Sequence, residues 1–351
     1  MSRGRILLIL SLFFLIISLL TGCIGPTRGT AEWHYYQGNR LVNQSQFNEA
    51  IREFTEAIEL DPTSAAAYVH RASTYNKKGQ FDLAIDDCNK AIELDPDLAV
   101  AYANKASAYN GKDQFDLAID DCNKAIEIDP YLAISYNYRA LAYQGKGQFD
   151  LAIDDFNSAI YLHPEYAEAY VNRAFIYIAY GQYDLAIADC NKAIEVDPSY
   201  PEAYSSRAWV YNGKGQFDLA IDDSNRAIEL DPNYTETYFA RAFAYTLKEE
   251  YNLAIADYNK ITSLDPSLFS AYVKRAWIYN EKGRYGLAIA DCSKAIELDP
   301  NNAEAYSERA WAYKQNGNKA EAIADFEKYM TLTTNPQEIE WAIQEIEELS
   351  K

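Results

Sequence analysis

A block of 34 residues recurs along this 351-residue chain, and every copy keeps the same length. Its marker is an acid–proline step: Asp61-Pro62, Asp95-Pro96, Asp129-Pro130, Asp197-Pro198, Asp231-Pro232, Asp265-Pro266 and Asp299-Pro300, with His163-Pro164 on the one odd beat. A fixed period of this size confines a chain to a stacked array, because each unit can bury its apolar face only against its neighbours. The blocks run 31–64, 65–98, 99–132, 133–166, 167–200, 201–234, 235–268, 269–302 and 303–336, and positions within them are counted 1 to 34. Such a chain offers a long surface, so the first functional question is what that surface holds.

The block starting at Ala65 shows the local logic. Tyr68, Arg71, Ala72 and Tyr75 fall at helical spacing on one face. Gly79 stops this first helix. A second amphipathic pattern runs through Phe81, Ala84, Ile85, Cys88, Ala91, Ile92 and Leu94 and ends at Asp95-Pro96, because a residue before proline is pushed out of helix. The unit is therefore two antiparallel helices, with small Ala72, Ala84 and Ala91 allowing close approach. After the last block, Asn335-Pro336-Gln337-Glu338 reads as a helix start, with an N-cap, a proline at the first turn and an acid reaching back. Ile339, Ala342, Ile343, Ile346 and Leu349 then mark one stripe, which predicts a capping helix over 337–351.

Tyr68, Ala72, Tyr75, Ala84, Cys88, Ala91 and Pro96 occupy positions 4, 8, 11, 20, 24, 27 and 32. This pattern resembles the tetratricopeptide repeat. Eight copies run from Ala65 to Pro336, and a weaker first copy, 31–64, keeps Gly38, Leu41, Ala50, Phe54, Ala57 and Pro62. The resemblance implies an all-α, right-handed α-solenoid of helix–turn–helix units, closed by the capping helix. A degenerate first copy suits a terminal unit, one face of which has no neighbour.

The N-terminus carries different information. Arg3 and Arg5 precede an apolar run from Ile6 to Leu20, which is short for a membrane span of roughly 20 residues. This is the build of a secretory signal. Leu20-Thr21-Gly22-Cys23 resembles a bacterial lipobox, which implies removal of residues 1–22 and lipidation of Cys23, with 23–30 as a tether. An uncleaved anchor, or an ordinary signal with a coincidental cysteine, is the alternative; each places the folded part outside the cytoplasm. Ile24 stands where some bacteria use an aspartate for inner-membrane retention, and whether the cell membrane or the outer membrane receives the protein stays open.

Formal charge is −20, which disfavours nucleic acid, since its binders need basic faces. It also disfavours adhesion of the folded part to anionic lipid and would steer a basic partner inward. Cys88, Cys122, Cys190 and Cys292 all sit at position 24, where other copies have Phe, Tyr or Ser, so they read as core and not as disulfides. His34, His70 and His163 are scattered and form no metal-ligand set. Gly-Lys-Gly-Gln at Gly145 and Gly213 lacks P-loop spacing. The double aspartates, such as Asp86-Asp87, lie within a helix and do not resemble a calcium loop. No cofactor, metal or enzymatic activity is expected.

Two columns remain. Position 7 is basic in the last eight copies (Arg71, Lys105, Arg139, Arg173, Arg207, Arg241, Arg275, Arg309), and position 23 is always Asp (Asp87 through Asp325). This predicts a base–acid pair joining the two helices of each unit. In the resembled family, positions 2, 5, 9, 12 and 13 line the concave side. Position 9 holds Asn39, Ser73 and Ser107 early, then Leu141, Phe175, Trp209, Phe243, Trp277 and Trp311; Phe239 and Val273 add to the column from position 5. An apolar strip of this length marks a partner site or, alternatively, packing between adjacent first helices. Asn212, Asn280 and Lys314 at position 12 and Glu168, Glu202, Glu236 and Glu304 at position 2 would form its polar rim. The lysine and asparagine clamp that some family members use for C-terminal carboxylates is absent. The expectation is a scaffold, lipid-anchored at a membrane, that binds a protein or peptide of basic character, as in assembly of an envelope complex. The alternative is a glycan- or peptidoglycan-binding accessory that stacks sugars on the aromatic column. Oligomeric state stays open.

Overall fold

The computed structural model describes residues 26–351. The expected signal 1–22, Cys23 and the start of the tether lie outside the described residues. Nineteen helices and no strand occur among the described residues. The fold is an all-α solenoid of helix–turn–helix units ending in a single helix. In a typical block the first helix fills positions 1–13 and the second 17–30, as in Ala65–Lys77 and Phe81–Leu94. First helices pack on their own second helices, as Pro201–Gly213 does on Phe217–Leu230, and several pack on the next first helix, as Pro201–Gly213 does on Thr235–Leu247. The chain forms two compact units, one ending at Ala169 and the other starting at Tyr170.

The turn chemistry explains the constant length. Position 15 has positive φ in all nine blocks, held by glycine in six (Gly215 at +71°) and by Ser45, Asp113 and Glu249 in three. The aspartate of each Asp-Pro step does more than end a helix. Its carboxylate accepts the backbone N–H two residues on, as Asp95 does from Asp97 at 3.1 Å and Asp231 from Asn233 at 2.9 Å. At four of these steps the proline carbonyl also accepts the next block's position-4 tyrosine hydroxyl, Tyr238 to Pro232 at 3.0 Å for instance. One dipeptide thus stops a helix, folds the turn and ties down the next helix.

The core is built of small residues. Ala72, Ala84 and Ala91, with their counterparts in later blocks, are fully buried, and so are Phe54, Phe156 and Phe326 at position 24. Cys88, Cys122, Cys190 and Cys292 are free and buried at that same position. Burial pushes the Cys88 and Cys190 thiols up to about 12, which keeps them in the thiol form near neutral pH.

All eight expected base–acid pairs form. The seven arginine pairs close at 2.6–2.7 Å and Lys105–Asp121 at 3.1 Å. Arg207 is representative: Nε and Nη2 each donate to an Asp223 oxygen at 2.7 Å, and the guanidinium lies 5.8 and 5.9 Å from the Tyr204 and Tyr211 rings. The third nitrogen goes further than expected. Arg207 Nη1 donates to Asn191 Oδ1 of the preceding block at 2.5 Å. Arg241 does the same to Asn225, Arg275 to Asn259 and Arg309 to Ser293. Each of these nodes therefore fixes three helices, two of its own block and one of the block before.

The terminal helix is Pro336–Leu349. Asn335 caps it by accepting from Gln337 N–H at 3.1 Å. Glu338 reaches back as expected, accepting from Thr333, Tyr329 and Asn335, which holds its carboxyl below the ordinary value. Ala342 and Leu349 are buried, but Ile343 is not part of the buried stripe and is 45% exposed. Trp341 is the side chain that stacks, edge-on to Phe326 at 5.3 Å.

Candidate functional site

The position-9 column resolves into two kinds of residue. Phe175, Trp209, Phe243 and Trp311 are exposed, at 58%, 37%, 39% and 37%. Leu141, in the first compact unit, is half-buried. Trp277 is half-buried as well, with its ring edge-on to Tyr251 at 6.3 Å. Phe239 packs edge-on against Tyr258 at 6.1 Å, and Val273 is buried outright. The column is therefore divided between exposed and packed residues. What decides between them is the second helix behind each one. Tyr251 lies against Trp277, and Tyr258 lies against Phe239 at a position where four other blocks have cysteine and one has serine.

The exposed rings gather in the second unit. Trp209 and Phe243 lie 5.9 Å apart, tilted by 43°. With Phe239 and Tyr258 they wall an open pocket of about 370 Å³, completed by Glu236, Ser270 and Lys274. The first helices Pro201–Gly213, Thr235–Leu247 and Phe269–Glu281 supply all of these but Tyr258. The alanines at position 8 bring these helices close, and large residues at positions 5 and 9 then stand out from the shared face. Tyr258 and Lys274 were not expected here. Position 6 is not among the positions that the family resemblance assigns to the groove, and Tyr258 occupies a core position.

The amides expected on the rim are elsewhere. Asn212 and Asn280 are buried, at 5% and 6%. Their Nδ2 groups donate to carbonyls of the next first helix, Asn212 to Ala240 at 2.8 Å and Asn280 to Glu308 at 3.0 Å. They bridge neighbouring blocks, because position 12 faces the adjacent helix and not the open side. Asn76 and Asn110 make the same bond in the first unit. Lys314 is likewise committed, to Glu345 and Glu348 of the terminal helix at 2.5 and 2.8 Å, while its ammonium sits 5.7 Å from the Trp311 ring. Among the described residues no group of three or more His, Cys, Asp or Glu is placed to hold a metal ion, the double aspartates included. No helix among them is long and apolar enough to cross a membrane.

Stacked helix pairs with aromatic side chains on an open face define a helical-repeat scaffold. Tetratricopeptide repeat models match residues 65–98, 99–132, 133–166, 167–200, 190–222, 235–268 and 303–336, and a further repeat model matches 38–79 and 276–317. The chain belongs to the tetratricopeptide repeat family, whose repeats serve protein–protein interaction. A 74-residue stretch is 39% identical to the tetratricopeptide repeat and J domain-containing co-chaperone DNJ1 of Cryptococcus neoformans var. grubii; it covers 21% of this chain and only 14% of that protein. Among solved structures, the APC/C hetero-tetramer Cut9–Hcn1 matches with a TM-score of 0.68 at 19% identity, over 80% of this chain and 55% of that one. A tetratricopeptide repeat protein from Parabacteroides merdae matches at 0.52 and 20% identity, over 72% and 99%. At these identities the likeness is one of fold.

Proposed function

We propose that this protein is a non-enzymatic scaffold, anchored to a membrane through a lipidated Cys23 and facing away from the cytoplasm. It holds a segment of a protein partner against the first-helix face of residues 170–351. The observation that carries this reading is the pocket between Trp209, Phe239 and Phe243, where two exposed rings and a half-buried one line a single recess on the first-helix face. Aromatic residues in a recess are the usual anchors of an interface. The anchoring part rests on the basic head, apolar run and Leu20-Thr21-Gly22-Cys23. Assembly of an envelope complex is the setting that this location suits.

The test is capture from solubilised envelope by the full chain and by a Trp209→Ala/Trp277→Ala/Trp311→Ala variant with unchanged helix content. A partner held by the parent and lost by the variant is expected; equal capture would overturn the site. Purified peptidoglycan retained by the parent alone would replace the protein partner with a glycan. A Cys23→Ser variant should leave the membrane fraction, and its retention there would overturn the anchor.

A further inference from the structure

We infer that the pocket of Trp209, Phe239 and Phe243 receives the side chain of a lysine or arginine from the bound segment, with Glu236 meeting its charge. This deepens the reading above and rests on it. The argument starts from which charges at the mouth are already satisfied. Lys274 Nζ is held by Glu304 at 2.7 Å. Tyr258 carries no charge near neutral pH, since burial pushes its hydroxyl up to about 12. Glu236 is exposed and has no hydrogen-bond or ion-pair partner among the described residues. The uncompensated charge beside the aromatic walls is therefore a carboxylate.

An acid at position 2 has an ordinary use, since it lies in the first turn and complements the helix dipole. Glu168, Glu202 and Glu304 share that place. They differ from Glu236 in what else they do: Glu304 binds Lys274, and Glu168 and Glu202 are engaged elsewhere. Only Glu236 among these four lines the aromatic pocket.

The chemistry of the occupant follows. A lysine or arginine lays its methylene stem along the rings, while its charged end meets both the ring faces and the carboxylate. An apolar side chain would fill the same space but bury Glu236 against it without a partner, which is unfavourable. An acidic one would meet a like charge. The chain's net charge of −20 favours approach of the basic partner.

The experiment probes the full chain, Glu236→Gln and Trp209→Ala/Phe243→Ala on an array of random-sequence twelve-residue peptides, with helix content checked for each. Peptides bound by the parent should be enriched in lysine or arginine, and replacing that residue by norleucine should weaken binding roughly tenfold. Glu236→Gln should keep binding but lose the basic preference. Binders without basic enrichment, or an unchanged preference in Glu236→Gln, would overturn the cation site and leave the groove standing. Binding that survives Trp209→Ala/Phe243→Ala, or no peptide bound by the parent, would overturn both.

Discussion

At the scale of single residues, the repeated arginine is the centre of each block. Arg207 loses water to make its bonds, and so does its partner. Burial pushes the Asp87 and Asp257 carboxyls above their ordinary value even with a guanidinium bonded to each. Desolvation and attraction thus nearly cancel, and the pair specifies register more than it adds stability. Arg207→Met alone should cost about 3 kcal/mol, because it strands Asp223. Arg207→Met with Asp223→Leu should cost far less, and urea denaturation of both variants measures the difference. Additive costs would mean that the two residues act independently. The pair itself was legible in the sequence, since two columns of opposite charge ran in step. The third contact was not. Asn191 at position 25 is an unremarkable polar residue until the next block is placed against it.

At the scale of elements, helix ends were the most readable part of the chain, because each carries a local mark in glycine or Asp-Pro. Three blocks break the rule at position 15, and there the backbone bears a strain that the others avoid. Glu249 has a φ of +60° and Glu249→Gly should stabilise the fold by about 0.5–1 kcal/mol, strain relief outweighing the added freedom of the unfolded chain. Gly215→Ala, at +71°, should cost about 1 kcal/mol. Thermal melts of the two variants would show opposite shifts; shifts of the same sign would mean that side-chain contacts, not φ, govern this turn. The terminal helix shows where periodicity misleads. Ile343 fits the apolar stripe, yet Trp341 provides the ring contact, because a helix that docks at one end of an array meets the second helix of the last block, at Phe326 and Tyr329, and not a full groove.

At the scale of the whole molecule, stability is a sum of neighbour interfaces, and each compact unit has its own set. Trp209, Trp277, Trp311 and Trp341 report on the second unit and Trp33 alone on the first. Urea transitions followed by tryptophan fluorescence and by far-UV circular dichroism should therefore not superimpose; coincident curves would mean one cooperative block. The site was legible as a column of large residues, but its exposure was not. Whether a ring stays open depends on distances between blocks and on Tyr251 and Tyr258 behind it, which no single block encodes. The three-helix node also bears on how such a chain can change in length. Arg207 takes Asn191 and Arg241 takes Asn225, the same amide one block apart. Excising residues 201–234 would set Arg241 opposite Asn191 and remake the bond, and duplicating that block would add a complete node. Gene duplication and loss in steps of one block can therefore lengthen or shorten the array without rewriting a junction, whereas a cut inside a block leaves an arginine without its partner.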